Sequence, residues 1–127
     1  MAVKFLSEEW TKELKTALNA NEAFTKGVGS ATAKLQQVVT GPDGEQRYWI
    51  KIEGGAVDMG SGDIGLPDAT ITQDYDTAVA LSRGELNPVS AFMSGRLKIG
   101  GNMTLLMQLQ GAFSQLPQVM QEMDVEY

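Results

Sequence analysis

Two different spacings of apolar residues divide the chain, and together they limit what it can fold into. Between residues 32 and 75 apolar side chains tend to alternate, while on either side they return every three or four positions. TAKLQQVV (32–39) and QRYWIKIE (46–53) read as strands, the second with Tyr48, Ile50 and Ile52 on one face. TGPDGE (40–45) between them has the Pro, Asp and Gly of a hairpin loop. AVDMGSGDIG (56–65) reads as a third strand, short or irregular. ATITQDY (69–75) reads as a fourth, with Ala69, Ile71 and Tyr75 inward.

The helical stretches carry their own stop and start signals. Ser7 is placed to cap SEEWTKELKTALNA, whose Trp10, Leu14, Ala17 and Leu18 form one face. Asn21 is placed to cap a second short helix running to Lys26, closed by glycines 27 and 29. Asp74 or Asp76 opens TAVALSRG, ended by Gly84, and Asn87-Pro88 opens VSAFMSG, ended by Gly95. GRLKIG is a last strand, and residues 102–123 read as helical with an interruption at Pro117. Strands followed by helices, with one strand added late, give an α+β fold. A chain of 127 residues is one ordinary domain, here 1–127.

Composition narrows the chemistry. Ten basic residues against sixteen acidic give a net charge of −6, which argues against nucleic acid and against tight binding to an anionic membrane surface. No run approaches the 18 apolar residues of a membrane span, and no signal peptide is read at the start. The chain has neither Cys nor His, which removes thiolate nucleophiles, Cys/His zinc sites and every Ser-His or Cys-His arrangement. A neutral or apolar ligand fits better, and the absence of disulfides is compatible with the expected cytoplasmic compartment.

Weaker motifs resolve into structure. DMGSGD (58–63) lacks the ligand spacing and closing Glu of a calcium loop, and reads as a solvated turn. GVGSAT (27–32) follows a helix and lacks the third Gly and the Lys of phosphate-cradling loops. The pairs Glu8/Glu9 and Asp74/Asp76 sit where helix starts favour them, with no nucleophile beside them. No catalytic residue, metal or cofactor is expected.

The C-terminal third is the informative part. Leu106, Leu109, Phe113, Leu116, Met120 and Met123 are spaced 3, 4, 3, 4, 3, one apolar face carried across Pro117, with Met103 and Met107 beside it. Core packing explains such a stripe. Its richness in flexible, polarisable Met also suits a lipid pocket or a groove for a partner helix or second copy. Composition leaves these readings open.

Residues 85–110, ELNPVSAFMSGRLKIGGNMTLLMQLQ, resemble the lipid-binding domains of the sterol carrier protein 2 (SCP2-like) family. Gly84, Pro88, Ala91, Phe92, Met93, Gly95, Arg96, Leu97, Lys98, Ile99, Gly101, Asn102 and Met103 fill the family pattern, and DATITQDYDTAVALSRGEL precedes it in the family's order. The resemblance implies a five-stranded, mostly antiparallel sheet covered by helices around a hydrophobic tunnel. It also implies a non-catalytic carrier of fatty acids, acyl-CoA or sterols. Carried over by position, Met103, Leu106, Met107 and Gln110 face the tunnel from the last helix, preceded by Phe92, Met93 and Ile99 as walls. Phe113, Leu116 and Met120 follow them. Gln110 is placed either to orient a headgroup at the tunnel mouth or to face solvent. On this placement Met107→Arg is the substitution expected to abolish binding. The family's peroxisomal members end in a targeting tripeptide, whereas this chain ends Val125-Glu126-Tyr127. The alternative is a protein–protein or accessory module built on the same apolar helix face.

Overall fold

The computed structural model describes residues 3–42, 44–86, 88–109 and 115–126. Their elements run β1 (Val3–Lys4), α1 (Glu8–Ala20), α2 (Glu22–Val28), β2 (Ala33–Gly41), β3 (Gly44–Glu53), β4 (Ala56–Ser61), β5 (Ala69–Asp74) and α3 (Tyr75–Ser82). They continue as α4 (Pro88–Met93), β6 (Leu97–Gly101), α5 (Met103–Gln108), α6 (Leu116–Glu122) and β7 (Val125–Glu126). Strands β2 to β6 form one sheet in the order β4-β3-β2-β5-β6, and β1 pairs with β7 in a second, two-stranded sheet. Within the main sheet β2 and β5 are parallel and the other three pairs antiparallel. The expected α+β, mostly antiparallel architecture is the one observed.

Caps set the helix starts. Ser7, Asn21, Asp74 and Asn102 each accept, through the side-chain oxygen, the N–H three residues on. Asn87, the expected cap of α4, lies outside the described residues. The acidic cap at Asp74 is the best defined electrostatically. Its contacts with Thr77, whose N–H donates to Asp74 Oδ1 at 2.7 Å, hold its carboxyl below the usual carboxylate range, against the opposing effect of desolvation, with Arg96 adding to the lowering. A lowered value in the folded state means the stabilisation is present above the unfolded value and fades as pH falls through the folded one. Asp74→Ala should therefore cost about 1 kcal/mol near neutral pH. Urea titrations of both proteins should converge below about pH 4.

Helices cover one face of the sheet. Side chains alternate along each strand, so Ala33, Leu35, Gln37 and Val39 of β2 face inward with Ile50 and Ile52 of β3 and Val57 and Met59 of β4. Helix α1 packs on β4, α3 on β2 and β5, α4 on β6, and α6 against α1 and α3. Trp10 is fully buried at the centre of this layer, with Phe5 and Tyr48 edge-on at 5.1 and 5.2 Å between ring centroids. Asn19 closes the β4 edge by exchanging two 2.9 Å hydrogen bonds with the Val57 backbone. On the outer face Gln36 donates to the carbonyls of Tyr48 and Gly62 and accepts from the Ile64 N–H. The turn after β4 is thereby stapled onto the sheet.

The C-terminal third departs from the expected single apolar face. Helix α5 closes at Gln108 with Leu109 as its C-cap, and α6 starts at Leu116 with Pro117 in its first turn. The interruption falls before Pro117, which starts a helix instead of kinking one. Among the described residues the 3–4 spacing is shared between two helices. Phe113 lies outside the described residues.

Candidate functional site on the inner face of the sheet

Strand register brings the inner-face residues into rows. One row is Leu35, Ala69 and Gly101; the next is Tyr48, Gln37, Ile71 and Ile99; the third contains Val39, Gln73 and Leu97. Leu35, Val39, Ala69 and Leu97 are buried. Ile71 and Ile99, opposite each other on β5 and β6, are only partly buried. They are apolar, they face the helix layer, and they lie outside the hydrophobic cluster that joins that layer to the sheet. An inner face left incompletely closed over two isoleucines is an apolar trough, and apolar surface in that position gains free energy by contact with hydrocarbon.

Gln37 and Gln73 lie at the sheet-centre side of this trough, each 7% exposed, with the Gln73 Nε2 donating to the Gln37 Oε1 at 3.4 Å. Tyr48 continues the row beyond Gln37, and loss of water around it pushes its phenol above the ordinary value. No inner-face strand position carries a charge. A separate open cleft of about 360 Å³ is lined by Arg83, Glu85, Met120, Gln121, Met123 and Val125.

The sequence-predicted residues are distributed unevenly around these features. Ile99 lies in the trough, and Met103 is partly buried at the start of α5, immediately after β6. Met120 is buried in the core and also lines the cleft near β7. Phe92, Met93 and Met107 are 41%, 80% and 70% exposed, and on α5 helical phase sets Met107 apart from the buried core. Helix α5 gives the core Leu105 and Leu109, four apart, and Met107 lies about 200° of helical rotation from Leu105. Leu106 and Leu116 belong to α5 and α6, but their side chains lie outside the description, as do Gln110 and Phe113 altogether. Ile71, Gln37 and Gln73 were not among the expected site residues. Gln37 shares the phase of Leu35 and Val39, which was the available signal.

A five-stranded sheet with one helix-covered, charge-free inner face is a scaffold for apolar ligands, and the comparisons with known proteins agree. Residues 11–114 match the SCP-2 sterol transfer family. Rat (Rattus norvegicus) sterol carrier protein 2 is 39% identical over 106 residues, covering 78% of this chain but only 18% of the rat protein. A crystal structure of sterol carrier protein 2 superposes with a TM-score of 0.80 at 23% identity, covering 94% of this chain and 98% of that one. The sterol carrier protein domain 2 of Helicoverpa armigera gives 0.69 at 29% identity, covering 87% of each chain. The chain belongs to the SCP-2 sterol transfer family and is a lipid-binding domain of that family.

Proposed function

We propose that this domain, spanning the chain, binds one lipid non-covalently and carries it without chemical change, the hydrocarbon lying along Ile71 and Ile99. The observation that carries this placement is the incompletely covered isoleucine pair on the face that the helices otherwise bury. Met103 borders the same end of the sheet. Each CH₂ transferred from water to such a surface gains about 0.8 kcal/mol, so a ligand covering only part of its length is still held. Chain-length selectivity is loose, because one methylene changes binding by only ~1–3 kcal/mol.

The accessory-module alternative draws on the same segment. Its broad helix face is reduced, because Leu105 and Leu109 already serve the domain's own core. Among the described residues no helix is long and apolar enough to cross a membrane, and the cysteine-free composition supports a cytoplasmic assignment.

Native mass spectrometry of gently purified protein tests the reading. Added mass in the lipid range is expected, and so is displacement of a fluorescent fatty acid by extracted lipid. A clean ligand-free spectrum together with no uptake of the probe contradicts it.

A further inference from the structure

The two edges of the main sheet differ. Strand β4 ends the sheet on one side, where α1 packs on it and Asn19 exchanges hydrogen bonds with the Val57 backbone. Strand β6 ends it on the other, and among the described residues it pairs with β5 alone. An edge strand of that kind presents a row of N–H and C=O groups spaced to receive another strand. Lys98, Gly100 and Gly101 are exposed there, and α4, the helix packed on β6, ends in the exposed Phe92 and Met93.

Charge decides what kind of strand fits. All sixteen acidic residues lie in 1–85 or 122–127, so residues 86–121 carry no side-chain carboxylate and two cations, Arg96 and Lys98. Both are exposed, and Lys98 joins none of the described ion pairs. Antiparallel pairing with β6 of a second copy, centred on Ile99, would gather both cations of each copy at one junction, with no acidic residue from 86 to 121 to offset them. An acidic strand is attracted by the same two cations.

Register gives the alternation. Lys98 lies on the outer face of the sheet, and Ile99 on the inner face ends the row Tyr48, Gln37, Ile71 and Ile99. A sixth strand therefore meets Lys98 with an acidic side chain and the partly buried Ile99 with an apolar one.

We propose that β6 is the docking edge for an extended segment of another protein in which acidic and β-branched apolar residues alternate, added to the sheet as a sixth strand. Main-chain hydrogen bonds supply the affinity, and the Lys98 and Ile99 positions supply the choice of side chains. The proposal does not depend on where the lipid lies.

Fluorescence anisotropy tests it, with the whole chain titrated into a short labelled peptide alternating glutamate and valine. Two counterparts run beside it, one with lysine for glutamate and one with every backbone nitrogen methylated. The glutamate peptide is expected to bind roughly tenfold or more tighter than either. Lys98→Glu should weaken its binding by about tenfold, whereas Lys26→Glu, an equal change of net charge at an exposed position on α2, should change it by less than about twofold. Absent or equal binding of the three peptides overturns the proposal, and so does a folded Lys98→Glu variant that binds as Lys26→Glu does. A dimer in sedimentation that excess peptide leaves intact assigns the edge to a second copy and overturns it too. The comparison of peptides on the wild-type protein needs no variant, so a misfolded substitution does not remove the test.

Discussion

Gly101→Ala is expected to destabilise the domain severely, whereas Gly100→Ala one position earlier is expected to leave it intact. Gly101 ends β6 with φ +97°, and a Cβ there meets the Asp68 carbonyl oxygen at 2.5 Å and the Ala69 Cα at 2.9 Å. Both obstacles are backbone. They belong to the start of β5, where Ala69 pairs with Gly101 and the Asn102 N–H donates to the Asp68 carbonyl at 2.9 Å. No rotamer change relieves such a contact, so the β5–β6 pairing must shift. Left-handed strain alone costs about 1–3 kcal/mol, and displaced backbone adds to it. A loss of about 3 kcal/mol or more, or roughly 10 °C in melting temperature, is the expected result. Gly100 has ordinary backbone angles and no atom near its would-be Cβ, so alanine should change stability by less than about 0.5 kcal/mol. Paired thermal melts decide it. Equal melting temperatures for the two variants contradict the described corner.

That corner matters because it aims α5. The chain leaves β6 at Gly101, Asn102 caps the helix by accepting from the Leu105 N–H, and α5 then sends Leu105 and Leu109 to the core. Without the turn, neither the helix cap nor the edge of the isoleucine trough is held in place.

Much of this was legible in the sequence because the signals are local. The caps at Ser7, Asn21, Asp74 and Asn102 and the inward phase of Ile50, Ile52 and Ala69 all depend on residues within one turn or one strand. The hairpin expected at 40–45 does join two antiparallel strands, but its ends are strand, with Thr40 paired to Glu45 and Gly41 to Gly44. Strand neighbours are another matter. Alternation tells which face a residue takes but not which strand lies beside it, so the parallel β2–β5 pairing and the row Gln37, Ile71, Ile99 could not be read from spacing. Helix α5 was ambiguous for a related reason. With Met103, Leu105, Leu106, Met107 and Leu109 all apolar, periodicity offers more than one inner face, and the six-residue helix and its C-cap bury Leu109 while leaving Met107 70% exposed. The buried glutamines were overlooked because Gln is ordinarily a surface residue.

The contrast between Ile71 and Met107 carries the account's central claim, that the lipid lies on the inner face of β5 and β6. Ile71 is partly buried between its register neighbours Gln37 and Ile99, on a face whose strand positions bear no charge. Arginine there places a cation in the path of the hydrocarbon with no carboxylate at an inner-face strand position to pair it, and the loss of apolar contact adds to the cost of desolvation. Two to three kcal/mol taken from binding corresponds to about 30- to 150-fold in affinity. Because Ile71 is not part of the central cluster, the fold should survive, and the melting transition of the variant checks that it does. Met107 is 70% exposed, so Met107→Arg leaves the inner face untouched, the reverse of what the helical spacing alone suggests. The direct measurement is uptake of a fluorescent fatty acid or alcohol by the wild-type protein and the two arginine variants. Binding lost in Ile71→Arg and kept within about twofold in Met107→Arg is the predicted result. Binding kept in a folded Ile71→Arg and lost in Met107→Arg would place the lipid on the outer side of α5 and contradict the account.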